Sequence, residues 1–387
     1  MMQSSTPLPE PDAEALKASQ RLAALIRAEI AAAGGWIPFA RYMELALYAP
    51  GLGYYSAGAR KFGAGGDFFT APELTPLFGQ ALARQAAQVL AQTGGDILEL
   101  GPGSGRLALD LLDALAALGQ LPERYFLLEV STDLRERQRA LFAQAAPQWL
   151  SRLVWLDTLP EGFTGLILAN EVLDALPVHR IHWTNTGPVE QGVGLDAAGG
   201  FVWQDRPLLQ GPLLEAARAI AAPPGYVSEI GLAVRGLVTS LAERIVHGVL
   251  LFLDYGFPRQ EYYHPQRTGG TLMAHRAQRA HADPFDLPGL TDLTAHVDFT
   301  AVAEAGHAAG LQLLGYTDQA SFLLNCGLLD LLAGIAPATP AYYRAAAAVQ
   351  RLLQPAEMGE LVKAIALGRG VAGPLLGFAR GDRSARL

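Results

Sequence analysis

The stretch Ile97-Leu-Glu-Leu-Gly-Pro-Gly-Ser-Gly-Arg106 decides the fold. An apolar run broken by one acid leads into glycines at 101, 103 and 105, and leucines at helical spacing begin directly after Arg106. Glycine has no Cβ, so the backbone can turn tightly here and come close to a ligand. The helix behind the turn presents free N–H groups to a polar ligand.

Outward from this turn the chain alternates strand and helix. Apolar runs predict strands over 96–100, 125–130, 165–170 and 249–254. Apolar spacing predicts helices over 106–118, 134–143 and 233–246. Strand followed by helix, repeated, implies a parallel sheet covered on both faces. Upstream, Leu16, Leu22, Leu25, Ile26 and Ile30 recur at helical spacing before Gly34-Gly35; a second element runs from Trp36 to Tyr48, and a further helix is expected over 77–92. Residues 51–73 form a loop rich in glycine and aromatics. Between 180 and 204 short strand-like pieces with Gly and Pro turns suggest an inserted antiparallel hairpin. The expected organisation has three parts. Residues 1–80 form an N-terminal helical and Gly/aromatic-rich extension. Residues 81–260 form a Rossmann-like core with a hairpin insertion near 180–205, and 261–387 form a sheet-completing and substrate-cap region.

Composition narrows the classes. Half of the 387 residues are hydrophobic and 17% are charged, enough for a sizeable core and incompatible with global disorder. A net charge of −8 argues against a nucleic-acid binder that works by neutralising phosphates. Arg369, Arg380, Arg383 and Arg386 read as a solvated C-terminal tail. Cys326 is the only cysteine and sits in an apolar stretch, so it reads as a core residue; no intrachain disulfide or thiolate metal cluster can form. No signal-peptide or transit pattern opens the chain and no run of about eighteen apolar residues occurs, so the expectation is a soluble cytoplasmic protein without membrane insertion.

The glycine turn has an acidic companion. Glu129 ends the run Tyr125-Phe-Leu-Leu-Glu-Val130, 28 residues after Gly101. A carboxylate there can accept both hydroxyls of a ribose. A dinucleotide fingerprint would place glycine where Arg106 stands. A nucleophile elbow needs Gly-x-Ser-x-Gly, whereas Ser104 has glycine directly on both sides. A P-loop would need Gly-Lys-Ser/Thr, which is absent. Further on, Leu168-Ala-Asn-Glu-Val-Leu-Asp-Ala-Leu-Pro-Val178 sets Asn170, Glu171 and Asp174 at the carboxyl end of another strand, where ligands collect. Helix capping is the competing reading for these polar residues. His296-Val-Asp298 lacks a third ligand at recognisable spacing, and no metal site is expected.

The form Glu99-Leu-Gly-Pro-Gly-Ser-Gly105 resembles motif I of class I S-adenosylmethionine-dependent methyltransferases. Six further segments accompany it: Gly51-Leu-Gly-Tyr-Tyr55, Gly66-Asp-Phe-Phe-Thr-Ala-Pro-Glu73, Asn170-Glu-Val-Leu-Asp-Ala-Leu-Pro177, Asp254-Tyr-Gly256, His296-Val-Asp-Phe299 and Met358-Gly-Glu-Leu361. Together they resemble the MidA-like family, whose mitochondrial members are complex I assembly-factor methyltransferases acting on an arginine of a respiratory-chain subunit. The resemblance implies an α/β class I core, seven-stranded and doubly wound, with an N-terminal helical extension and inserted and C-terminal cap elements. It implies S-adenosylmethionine as cofactor and a protein partner, a respiratory-chain subunit, as substrate. Glu99, Gly101, Gly103 and Gly105 would then meet the cofactor's amino-acid end and Glu129 its ribose. Asp67 and Thr70 would add contacts from a loop folded over it, with capping by Thr70 or Thr75 as the alternative.

An arginine nucleophile stays protonated, with a pKa above about 12. Carboxylates gripping it in fork geometry can orient one nitrogen and offset its charge. Glu171 is the first candidate, with Asn170 and Asp174 beside it. Glu229, in Gly225-Tyr-Val-Ser-Glu-Ile-Gly231, is the second, and a helix N-terminal acid is its competing reading. A small-molecule methyltransferase and a non-catalytic cofactor-binding assembly factor are the alternative functions; substrate enclosure separates the first and turnover the second.

Overall fold

The computed structural model describes residues 10–56 and 70–387; Asp67, and with it half of the Gly66–Glu73 segment, lies outside them. Two compact units are present, and neither is a continuous stretch of chain. One comprises Phe69–Asp174, Val234–Tyr262 and His296–Leu387; the other comprises Met1–Phe68, Ala175–Ala233 and Tyr263–Ala295.

The first unit is built on one sheet. Its strands are β1 (Asp96–Leu100), β2 (Tyr125–Leu128), β3 (Leu153–Leu156), β4 (Phe163–Asn170), β5 (Ile245–Phe257), β6 (Gln312–Asp318) and β7 (Val362–Arg369). Their order across the sheet is 3-2-1-4-5-7-6, and the two-residue strand Val297–Asp298 pairs with the end of β5. β1 to β5 run parallel, while β7 is antiparallel to both β5 and β6. Both faces are covered, as a parallel sheet requires. Ile97, Leu127, Leu166, Leu168, Leu251 and Ala366 join one core with the helices Pro76–Thr93 and Arg106–Ala117. The intervening Leu98, Ile167, Leu250, Phe252 and Ile365 are buried as well. Helix Pro76–Thr93 starts where Thr75 accepts from the Leu77 N–H, has Pro76 in its first turn, and stops at left-handed Gly94.

The second unit carries helices Ala13–Ala32 and Phe39–Tyr48 and a five-stranded antiparallel sheet. Asp12 caps the first helix by accepting from the Glu14 and Ala15 N–H groups. The insertion expected as a hairpin is larger. His179–Thr184, Gly187–Leu195 and Phe201–Pro207 pair in series, and Tyr226–Ile230 adds to His179–Thr184. A three-stranded sheet of Met273–Arg276, Arg279–His281 and Asp292–Thr294 completes this unit among the described residues.

Arg369, Arg383 and Arg386 are not part of a solvated tail, while Arg380 is exposed. Arg369 donates to the carbonyls of Ile245 and Ala309, Arg383 pairs with Asp318 at 2.6 Å, and Arg386 pairs with Glu261 at 3.2 Å. Acid and carbonyl partners on β5, β6 and two neighbouring helical segments pin these three arginines down. Cys326 is buried as expected, and burial pushes its thiol up to about 12.

Candidate active site

The site is built at the carboxyl ends of β1, β2, β4 and β5, all within the first unit. After β1 the chain turns through Gly101, Gly103 and Gly105 at φ 58°, 53° and 82°, a left-handed region that disfavours side chains. The Gly101 N–H donates to the Leu128 carbonyl at 3.0 Å, tying the turn to β2. A Cβ on Gly101 would lie 2.9 Å from a Val172 methyl, so the turn after β4 closes against the turn after β1.

Glu99 and Glu129 are both buried. The Tyr125 hydroxyl donates to Glu99 at 2.6 Å; burial nevertheless raises the carboxyl to about 7. Glu129 accepts from the Ser131 N–H at 2.9 Å and from the Gln138 amide at 3.4 Å. Sequence reasoning missed Gln138. From the helix Thr132–Ala145 its Nε2 also donates to the Gly103 carbonyl at 2.8 Å, while its Oε1 accepts from the Trp155 indole at 2.8 Å. One fully buried amide thus links the glycine turn, the acid after β2 and β3. Its signal was a polar residue on the apolar stripe Leu134, Gln138, Phe142.

The turn after β4 holds the acids. Asn170 ends the strand, and its Nδ2 donates to Glu171 Oε1 at 3.2 Å; its Oδ1 is buried without a partner among the described residues. Glu171 adopts φ 53°, rare for a residue with a long side chain, and its N–H is anchored on the Leu253 carbonyl at 2.9 Å. No helix follows directly, so neither Asn170 nor Asp174 is a helix cap. Asp254 at the end of β5 organises the turn: its Oδ2 accepts from the N–H groups of Val172 at 3.0 Å, Leu173 at 2.7 Å and Asp174 at 3.4 Å. Burial, then the charge of Asp174, raises the carboxyl of Glu171 to about 7. The same two causes, with Glu171 added, raise that of buried Asp254.

The described end of the Gly66–Glu73 segment reaches both turns. The Ser104 hydroxyl donates to Glu73, and the Ala71 N–H donates to Glu171 at 3.3 Å. Thr70 stands before the short helix Ala71–Leu74 without a side-chain capping bond, whereas Thr75 caps the next helix. Asp67 is outside the described residues.

Glu229 belongs to the other unit. It lies on the strand Tyr226–Ile230, fully buried, accepting from the Thr271 N–H at 2.8 Å and hydroxyl at 3.0 Å. It is a strand residue and neither a helix N-terminal acid nor a neighbour of Glu171 on one turn. Asp298 caps the helix Phe299–Ala308 and pairs with Arg259 at 3.4 Å, while His296 packs beside Phe257. Among the described residues no group of three or more His, Cys, Asp or Glu side chains is placed to hold a metal ion.

A sheet of order 3-2-1-4-5-7-6, with a glycine turn after its central strand and an acid after the next, is the architecture of class I methyltransferases. Residues 81–317 match the family described as "Putative S-adenosyl-L-methionine-dependent methyltransferase", and the chain belongs to this family, as its resemblance to MidA-like proteins implied. It is similar to "Protein arginine methyltransferase NDUFAF7 homolog, mitochondrial" of Drosophila melanogaster, with 31% identity over 96% of this chain and 93% of the relative. It is also similar to "Protein arginine methyltransferase NDUFAF7, mitochondrial" of Danio rerio, with 30% identity over 85% and 82%. Among solved structures it is similar to a protein from Burkholderia thailandensis crystallised with S-adenosyl-homocysteine: 52% identity, TM-score 0.96, 98% of this chain and 100% of that one. The expectation of a cytoplasmic protein is corrected by these relatives, which are named as mitochondrial. No helix among the described residues is long and apolar enough to cross a membrane.

Proposed function

We propose that this methyltransferase modifies an arginine side chain of a partner protein, with Glu171 and Asp174 gripping the guanidinium. The observation that carries this reading is the crowding of three carboxyl groups, Glu171, Asp174 and Asp254, in which burial and then the charge of Asp174 push protons onto Glu171 and Asp254. Such a cluster is relieved by a bound cation, and a planar guanidinium fits a pair of carboxylates in fork geometry. The names of the relatives from Drosophila melanogaster and Danio rerio support the same substrate class.

S-adenosylmethionine, when bound, supplies an electrophilic methyl group on a sulfonium. The residues present fit it. The left-handed glycine turn leaves room for close approach, Asn170 Oδ1 is an open acceptor for its ammonium, and Glu129 suits the ribose hydroxyls. Gln138 holds Glu129 and the Gly103 carbonyl in fixed relation, so the crevice is organised before binding. Asp254 fixes the backbone of residues 172–174 and thereby aims Glu171 and Asp174. With its carboxyl near 7, Glu171 is a stronger base than an ordinary glutamate and takes the proton that the methylated nitrogen releases. Partner-directed methylation is tested by incubating the purified protein, labelled S-adenosylmethionine and mitochondrial extract, then searching for methylarginine by mass spectrometry. Methylarginine formed by wild type and absent with Glu171→Gln supports the reading. Label found only on small molecules, or no label at all, contradicts it.

A further inference from the structure

A cavity of about 230 Å³ lies where β5, β6 and β7 meet the C-terminal segment, away from the glycine turn. Phe257, Pro258 and Leu361 give it apolar walls, and Glu360 and Leu361 come from the Met358–Leu361 motif to which the methyl-transfer site gives no role. Two polar groups in its lining are almost wholly buried. The Tyr316 side chain is 1% exposed, and its hydroxyl has no partner among the described residues. Buried tyrosine hydroxyls ordinarily find one. Lys363 is 4% exposed, and the Glu360 carbonyl takes one of its three N–H donors.

Three acids and three cations lie in and beside the cavity lining, but they are not paired one to one. Arg383 lies 2.6 Å from Asp318 and 3.8 Å from Glu360, and Arg386 lies 3.2 Å from Glu261. Arginines take all three acids, with Arg383 shared by two, and the Lys363 ammonium, 5.6 Å from the centroid of the Phe257 ring, has no carboxylate within ion-pair distance. An unused phenol donor and a buried cation, in a space smaller than the usual drug-sized pocket of about 300–1,000 Å³, define the missing partner as a small anionic acceptor.

We propose that this cavity is a second binding site, taking the carboxylate or phosphate group of a small ligand between the Tyr316 hydroxyl and the Lys363 ammonium. The ligand's apolar part, where it has one, rests on Phe257 and Leu361. Register places Lys363 opposite Asp254, the residue that holds the acid turn, so an occupant sits one strand from the methyl-transfer site.

The test is fluorine NMR titration of the full chain with 4-fluorobenzoate, with inorganic phosphate as competitor, for wild type, Tyr316→Phe and Lys363→Met. Wild type is expected to bind, with Tyr316→Phe weakening binding about tenfold and Lys363→Met abolishing it. Tyr316→Phe is expected to keep or raise the thermal midpoint, because its lost hydroxyl had no partner; it decides the matter should Lys363→Met fold poorly. S-adenosyl-homocysteine affinity should stay unchanged in Tyr316→Phe. Binding of fluorobenzoate that phosphate does not displace assigns a carboxylate ligand, and displacement by phosphate assigns a phosphate. No binding of either probe by wild type up to about 10 mM, or equal binding by Tyr316→Phe, overturns the proposal.

Discussion

Glu171 occupies a backbone conformation that costs about 1 kcal/mol or more for a residue with a side chain, and three bonds to Asp254 together with one to Leu253 hold its turn there. Replacing it with glycine is therefore expected to raise stability by about 1 kcal/mol in denaturant titrations while abolishing transfer. A separate pair of variants divides binding from chemistry. Glu129→Ala should weaken S-adenosylmethionine binding at least about tenfold by calorimetry, whereas Glu171→Gln should bind within about twofold of wild type and lose at least about a hundredfold in turnover. Equal losses of affinity in both variants would contradict the division of roles. At this scale the sequence was legible where position follows from local backbone: the glycines, Glu129 and Glu171 to Asp174 sit on turns directly after strands, and Glu99 and Asn170 at the ends of strands. Asp254, Gln138 and Glu73 were not assigned roles because each acts through a bond to a residue at least 31 positions away or through an unremarkable helix face. The helix-start reading of Glu229 failed because an acid between glycines looks the same in a loop, a helix start and a buried antiparallel strand.

The helix Thr132–Ala145 works as a strap through Gln138. Gln138→Leu leaves the Trp155 N–H and the Gly103 carbonyl without that partner, so a loss of about 2–3 kcal/mol in denaturant titrations is expected, together with weaker cofactor binding. A variant that loses stability but keeps full affinity would show that the helix does not preorganise the crevice. The same level explains which strands could be read. β1, β2 and β4 are apolar runs flanked by turns, and the period of helix and strand alternates cleanly around them. β6 begins with exposed residues and slips register between Leu313 and Gly315, which breaks its alternation. β7 reads Val-Lys-Ala-Ile-Ala-Leu-Gly-Arg: alanine and glycine have low strand propensity, and a lysine inside a fully buried strand hides it from any hydrophobicity pattern.

For the whole molecule, buried carboxyls raised by folding shape the response to pH, and Glu99 and Glu171 are two of them. Folding raises Glu99 and Glu171 from the ordinary 4.5 to about 7, so the folded chain binds protons that the unfolded chain releases between these values. The stabilisation is complete at the acid end of that window and is lost as pH rises to about 7. The thermal midpoint of the cofactor-free protein should therefore fall between pH 4.5 and 7 by this contribution, and Glu171→Gln should show a shallower slope; an unchanged slope would mean that Glu171 titrates normally. The order 3-2-1-4-5-7-6 has one more result. The strand that fills the place between β5 and β6 is made last, at residues 362–369 of 387. During synthesis two strands that end as next-but-one neighbours wait with open edges, and a chain stopped before this point leaves the ribosome with a gap in its sheet.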